Sequence, residues 1–337
     1  MGTTIIIAAL LTLGGLGLLM VVILVIANSK LAVKPNPLVE NIRSILPGAN
    51  CGGCGYPGCD AFADAIAKGD APPDGCPVGG PSLAEGIGEI MGLEVGVGEP
   101  QVAFIMCQGG NNIVAQLAEY KGISTCRAAN LIAGGTKACK YGCLGYGDCA
   151  AVCPFDAIHM DSNGLPVVDK EKCTGCGICV RTCPKNVIRL IPISKEVVLA
   201  CNSLEKGKAV REVCKIGCHA CSICVKMCSY GALEMVNNLP VMDFDKCVDC
   251  GICYAKCPVK SSYVDFALPR PKAYIEPSKC NGNHACALAC KFKAIEGDKG
   301  DVHTVIQDKC VGCGECVKAC PTGACSQPVK IAASVVA

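Results

Sequence analysis

The 337-residue chain has no tryptophan, only six Phe and eight Tyr, four His, and a net charge of +2. So few rings exclude a large aromatic core. The balance of 31 Lys and Arg against 29 Asp and Glu, with no basic run, excludes a polyanion-binding tail and argues against nucleic acid. No G-x-G-x-x-G follows a strand pattern: Gly86-x-Gly88 runs on to Met91, and Gly15-x-Gly17 lies in an apolar stretch. There is no P-loop, so no nucleotide, nicotinamide or flavin site is expected on this chain. What abounds is cysteine, 32 residues. Such a share marks a disulfide scaffold or a metal protein. Disulfide scaffolds are short secreted chains, and this chain is long, with most cysteines in C-x2-C runs.

Ile5 to Ala27 is a run of 23 residues without a charge. As a helix it measures roughly 34 Å, enough for a hydrocarbon core of about 30 Å. A cleaved signal peptide is the competing reading. The run is too long for it, and no Lys or Arg precedes. Lys30 and Lys34 follow, so the positive-inside rule expects a single-pass anchor in the cell membrane with the soluble part in the cytoplasm. A reducing compartment also keeps cysteines available to metal. Gly14, Gly15 and Gly17 form a small-residue patch against which another membrane helix can pack. Pro35 and Pro37 are expected to break the helix and begin a linker.

Beyond the linker stands Cys51-x2-Cys54-x4-Cys59, with Cys76 on a proline-rich return loop. Cys59 to Gly69 has helical periodicity and ends at a glycine. Residues 81–100 read as a glycine-interrupted helix and linker, and Gln101 to Met106 as a strand. From Cys139 onward the unit C-x2-C-x2-C-x3-C repeats. It is complete at Cys173/Cys176/Cys179/Cys183, Cys218/Cys221/Cys224/Cys228, Cys247/Cys250/Cys253/Cys257 and Cys310/Cys313/Cys316/Cys320. Two copies lack the second cysteine: Cys143/Tyr146/Cys149/Cys153 and Cys280/Asn283/Cys286/Cys290. Paired, they predict three two-cluster modules, with Leu165 to Val168 and Leu239 to Met242 as hairpin strands. The expected fold class is α+β: a transmembrane helix (1–29), a small helical [4Fe–4S] domain (30–99), then ferredoxin-like modules at 100–195, 196–268 and 269–337.

Three cysteines at this interval wrap one loop around three irons of a cubane, and the fourth cysteine of each run serves the other cluster. Cys153 therefore joins Cys173, Cys176 and Cys179; Cys228 joins Cys247, Cys250 and Cys253. Cys257 joins Cys218, Cys221 and Cys224, and Cys290 joins Cys310, Cys313 and Cys316. Repeated four-cysteine runs are poor zinc spacing. Where Tyr146 stands, Cys139 is expected to complete Cys143, Cys149 and Cys183. Where Asn283 stands, Cys280, Cys286 and Cys320 lack a fourth thiolate. Cys325 is the first candidate, His284 a weaker one, and with neither the site is a three-iron cluster. His159, His219 and His303 show no ligand spacing and are expected at the surface.

Cys107, Cys126, Cys201 and Cys214 remain. Cys126-x12-Cys139-x3-Cys143 repeats as Cys201-x12-Cys214-x3-Cys218, so two duplicated arms are expected to enclose an eighth cluster. In that grouping Cys139 and the four are interchangeable. The alternative is four buried free thiols. The cofactors are thus seven or eight iron–sulfur clusters, mostly [4Fe–4S].

The apolar helix, ILPGANCGGCGYPGCDAFADAIAKG with GCPVGG, then CKYGCLGYGDCAAVCPFDAI and the ferredoxin runs, resemble the B subunit of the Rnf complex. The resemblance is read through about Cys183. It implies a membrane complex that moves electrons between reduced ferredoxin and NAD while transporting Na+ or H+. It also implies one [4Fe–4S] cluster on Cys51, Cys54, Cys59 and Cys76. The chain's expected part is electron transfer from reduced ferredoxin to the complex's other membrane and peripheral subunits, without bond chemistry of its own. Arg270, Lys272, Lys279, Lys291 and Lys293 are candidates to steer an acidic ferredoxin. The rival readings are a polyferredoxin adaptor and the electron-delivery subunit of a dedicated reductase, neither pumping ions.

Overall fold

The computed structural model describes residues 2–31, 36–96 and 98–327; Lys34, Pro35 and residues 328–337 lie outside the described residues. Helix α1 (Gly2–Leu31) is apolar on every side. Its segment Ile6–Lys30 is long and apolar enough to cross a membrane, and none of it is buried against the rest of the chain. A helix hydrophobic all round needs an apolar surround.

Pro37 does not break a helix, as expected from sequence, but opens one: α2 (Pro37–Ile45). Its missing N–H costs nothing in the first turn, and Asn36 accepts a hydrogen bond from the amide of Leu38 (3.0 Å). Helices α3 (Cys59–Lys68) and α4 (Gly80–Met91) pack against it. α3 stops where Gly69 turns left-handed, φ 81°. Ile42, Phe62, Ile66 and Ile87 fill the core of this small domain.

Three units of one plan follow. The first runs through β1 (Gln101–Ile105), α5 (Cys126–Leu131), α6 (Asp148–Ala151), β2 (Ile158–Met160), β3 (Pro166–Val168), α7 (Ile178–Thr182) and β4 (Ile188–Pro192). The second has β5 (Val197–Leu199), α8 (Lys208–Val213), α9 (Ile223–Met227), β6 (Leu233–Val236), β7 (Leu239–Met242), α10 (Ile252–Lys256) and β8 (Tyr263–Asp265). The third has β9 (Tyr274–Ile275), α11 (Ala285–Ala289), β10 (Ile295–Glu296), β11 (Thr304–Val305), α12 (Glu315–Ala319) and β12 (Cys325–Ser326). In each, an inner antiparallel hairpin (β2–β3, β6–β7, β10–β11) lies between two short helices. The first and last strands (β1–β4, β5–β8, β9–β12) pair antiparallel and close the unit.

The helices are short for a local reason. The six that follow the cysteine loops start at a left-handed residue, as at Gly177 (φ 72°) and Gly251 (φ 73°). Five of them end on an extended cysteine, as at Cys183 and Cys257. Little apolar core is left: in the third unit the buried cluster is Ala273, Ile275, Ala324 and three cysteines.

The units are joined by specific contacts. Val102, Phe104, Met106 and Ile191 of the first pack on Val198 and Ala200 of the second. Between second and third, the Arg270 guanidinium grips the Asp265 carboxylate with two hydrogen bonds (2.8 and 3.0 Å), both side chains being almost fully buried. Tyr230 donates to Glu315 (2.6 Å), and the Lys291 ammonium to the carbonyl of Met227 (3.0 Å).

Candidate iron–sulfur sites

The loop of the N-terminal domain brings Cys51, Cys54, Cys59 and Cys76 together: Cys54, Cys59 and Cys76 pack on the helical core, and Cys51 and Cys54 lie near Cys76. Asn50 latches this loop, its amide oxygen accepting from the N–H of Cys59 (2.9 Å). Gly53 rests on Cys176 of the first unit; a Cβ there would lie 3.1 Å from the Cys176 carbonyl oxygen.

Within the units the cysteines gather crosswise. Cys153 lies with Cys173, Cys176 and Cys179. Cys257 lies with Cys218, Cys221 and Cys224, and Cys228 with Cys247, Cys250 and Cys253. Cys290, Cys310, Cys313 and Cys316 line one enclosed cavity.

Two sets differ from expectation. Cys126, not Cys139, stands with Cys143, Cys149 and Cys183 around one cavity. The reason is α5: Cys126 is its first residue, and Asp148 of the run itself receives the N–H groups of Cys126 (2.9 Å) and Arg127 (3.1 Å). Tyr146, where a cysteine is missing, stacks edge-on with Tyr120 instead (5.6 Å). Cys139 turns to the other side and lines a separate cavity with Cys107, Cys201 and Cys214. This four-cysteine set is assembled from just past β1, the loop before α6, just past β5 and the C-terminal cap of α8.

The third unit leaves one set short. Cys280, Cys286 and Cys320 lie together. Asn283 is exposed, and its side-chain oxygen accepts from the amide of Ala285 (3.0 Å). Cys325, the expected completion, is a buried residue of β12 that stands between this set and the neighbouring one: its amide donates to the Cys320 sulfur (3.5 Å), and its thiol lies near Cys286 and Cys320 as well as Cys316. Cys325 follows Cys320 as Ile158 follows Cys153 and Leu233 follows Cys228, so it occupies a core aliphatic position.

Histidine expectations also change. His303 is not at the surface but 1% exposed, and His219 is half-buried; His159 is exposed. Among the steering candidates, Arg270 is consumed by Asp265. Lys279 pairs with Glu276 (2.7 Å), and Lys272 donates to the carbonyl of Gln307 (2.6 Å).

The chemistry of these sets fits polynuclear iron–sulfur groups. Among the described residues no three Cys, His, Asp or Glu converge closely enough for a single metal ion. Instead four sulfurs stand around a void: about 30 Å³ for the Cys107 set and about 20 Å³ for the Cys126 and Cys290 sets. Each exceeds the ~10–15 Å³ that one water-sized sphere needs. Burial pushes the thiols of Cys143, Cys179 and Cys218 up to about 12, and those of Cys149 and Cys313 to about 11. At neutral pH such groups stay protonated unless a cation displaces the proton. Backbone amides already point at the sulfurs, as from Ala103 to Cys173, Ala157 to Cys153 and Ala232 to Cys228 (3.3–3.4 Å). Lys137, 4% exposed, lies between the Cys126 and Cys107 sets: its ammonium donates to the Gly109 carbonyl (3.1 Å), and its charge partly opposes the rise that burial imposes on Cys143.

The eight sets lie side by side in one file. Cys51 neighbours Cys176; Cys179 neighbours Cys149; the amide of Cys143 donates to Cys107 (3.4 Å) and that of Cys218 to Cys201 (3.3 Å). Cys224 then neighbours Cys253, Cys250 neighbours Cys313, and Cys316 reaches Cys286 through Cys325.

A chain built this way is an iron–sulfur protein of the dicluster class. Residues 46–78 match the family described as "Putative Fe-S cluster", and 138–190, 239–291 and 273–327 match "4Fe-4S dicluster domain" families. The chain is 45% identical to the B subunit of the Na(+)-translocating ferredoxin:NAD(+) oxidoreductase complex of Acetobacterium woodii, over 78% of this chain and 79% of that one. It is 45% identical to the B subunit of the proton-translocating ferredoxin:NAD(+) oxidoreductase complex of Clostridium ljungdahlii (77% and 91%). With the B subunit of the ion-translocating oxidoreductase complex of Methanosarcina acetivorans it shares 42% (77% and 98%). It belongs to the family of Rnf-type B subunits and is an iron–sulfur electron-transfer subunit carrying several clusters. The likeness reaches well past Cys183, where the sequence motifs had ended it.

Proposed function

We propose that the chain is the electron conduit of an ion-translocating ferredoxin:NAD oxidoreductase. Electrons enter from reduced ferredoxin at the Cys280 end and leave to membrane partners at the Cys51 end. The observation that carries this reading is the unbroken file of eight cysteine sets, ending within the domain that follows the apolar helix. Clusters, when bound, supply a one-electron carrier at each site. The cysteines hold them, backbone amides stabilise the thiolates, and close contacts such as Gly53 on Cys176 keep neighbours near, which matters because electron transfer weakens steeply with distance.

NAD reduction and ion passage fall to partners, since α1 carries no ionisable residue within its apolar run and no dinucleotide fingerprint follows a strand. The basic residues after the helix support a cytoplasmic soluble part. Residues 30–99, 100–195, 196–268 and 269–337 serve as the soluble domains. The names of the relatives support both Na+ and H+ as the coupling ion.

The test is iron and acid-labile sulfide per chain on anaerobically purified protein, with EPR of the reduced form. The reading expects about 31 or 32 iron. A Cys139→Ala/Cys201→Ala variant should lose about four of them. About 28 iron, unchanged in that variant, would remove the Cys107 set and break the file in its middle. Zinc instead of iron would overturn the conduit altogether.

A further inference from the structure

The last site of the file carries two histidines where its equivalents carry none. The inner hairpins pair Met160 with Pro166 and Met235 with Pro240. Continuing the β10–β11 register by one residue puts Gly297 opposite His303. In the first unit Met160 and Pro166 line the cavity of the Cys126 set. His303 therefore occupies a position that faces the cysteine set. Gly297 leaves room for it, since a Cβ there would sit 3.0–3.2 Å from His303.

His284 stands at the left-handed turn (φ 69°) that opens α11. The five equivalent turns have Gly147, Gly177, Ser222, Gly251 and Gly314. A non-glycine residue is strained there, so the histidine is kept against local preference. Both substitutions fall at the one set whose run lacks its second cysteine, at Asn283, with no cysteine just upstream to replace it, and the two side chains meet. His303 Nε2 is 2.8 Å from His284 Nδ1, and His303 Nδ1 is 3.8 Å from Cys280 Sγ.

This geometry separates two roles. Each iron of a cube takes one outer ligand, and ligands on different irons point apart. A nitrogen so near the Cys280 sulfur shares that sulfur's side, the place of a donor to the thiolate. A thiolate only accepts, so Nδ1 of His303 carries the hydrogen; with both rings neutral, its Nε2 then accepts and Nδ1 of His284 donates to it.

On the reading that Cys280, Cys286 and Cys320 hold iron, we infer that His303, oriented by His284, is a positioned hydrogen-bond donor to Cys280 that raises the reduction potential of the terminal site. Hydrogen bonds to cluster sulfurs favour the more negative, reduced form. No bond is made or broken: the site gains one electron, and both histidines keep their protons.

The experiment is an EPR-monitored redox titration of the full chain, wild type against His303→Leu, His303→Gln and His284→Ala, with iron and sulfide counted in each. His303→Leu should move one signal to lower potential and leave the others in place. His303→Gln, which keeps an N–H, should recover part of the shift, and His284→Ala should give a smaller one. An unmoved signal at full iron content overturns the inference. Pulsed EPR on 15N-histidine-labelled wild type guards against a variant that fails to assemble. A weak nitrogen coupling on the terminal signal supports a hydrogen bond; the strong coupling of an iron–nitrogen bond, or none, overturns it. A Cys280→Ser/Cys286→Ser variant that loses no iron sinks the underlying site as well, and so tells the two failures apart.

Discussion

Single residues decide which sulfurs meet. Cys126 and Cys139 look interchangeable in the sequence, yet Asp148 takes the first two amides of α5 and fixes Cys126 on the Tyr146 run. Cys126→Ser should convert one four-iron signal to a three-iron one with loss of about one iron per chain. Cys139→Ser should do the same to a different signal, so the double variant shows both changes by EPR. One shared signal in the two single variants would mean that both cysteines serve the same site. The complete runs could be read directly, because their interval is itself the geometry of the loop. The odd cysteines could not, because their partners are chosen by a carboxylate 22 residues away at the start of α6. His303 was missed for the same reason: no spacing marks it, and only the hairpin register brings it to Cys280. The comparison of LPV at 165–167 and 239–241 with VHT at 302–304 was the available signal.

At the level of elements, closure is set by strands rather than by spacing. The dicluster match at 239–291 takes one cysteine run from the second unit and one from the third. The interval from Cys247 to Cys280 imitates the interval within a unit, but β5–β8 and β9–β12 put the boundary between them. The inner hairpins are legible, since Leu165 to Val168 and Leu239 to Met242 are contiguous apolar segments. The closing pairs are not, because they are two to five residues long and join positions far apart in the chain. The left-handed entrance to each helix also belongs to this scale. Ser222 holds φ 61° where glycine is at ease. Ser222→Gly should raise the stability of the second unit by about 1 kcal/mol, read as a higher thermal midpoint of the loaded protein; a lower midpoint would mean that the Ser222 side chain earns its place by a contact.

Across the whole molecule, apolar core and cysteine content trade places. The N-terminal domain is built on Ile42, Phe62, Ile66 and Ile87, whereas the third unit has mainly alanines and sulfurs inside. Removing iron with a chelator should therefore unfold the third unit first, because metal binding there is folding free energy. Limited proteolysis should cut within 274–326 while 37–91 survives; simultaneous loss of both would refute the distinction. The one buried lysine among the described residues makes the file uneven in energy. Lys137 sets a fixed positive charge midway, beside the third and fourth sites, where an added electron is held more tightly than at its neighbours. Lys137→Met should level this dip, so that on partial reduction the middle signals no longer fill first. With the dip in place, the two halves of the route can run out of step: charge pools at the centre, and a donor can deliver while the acceptor is still occupied.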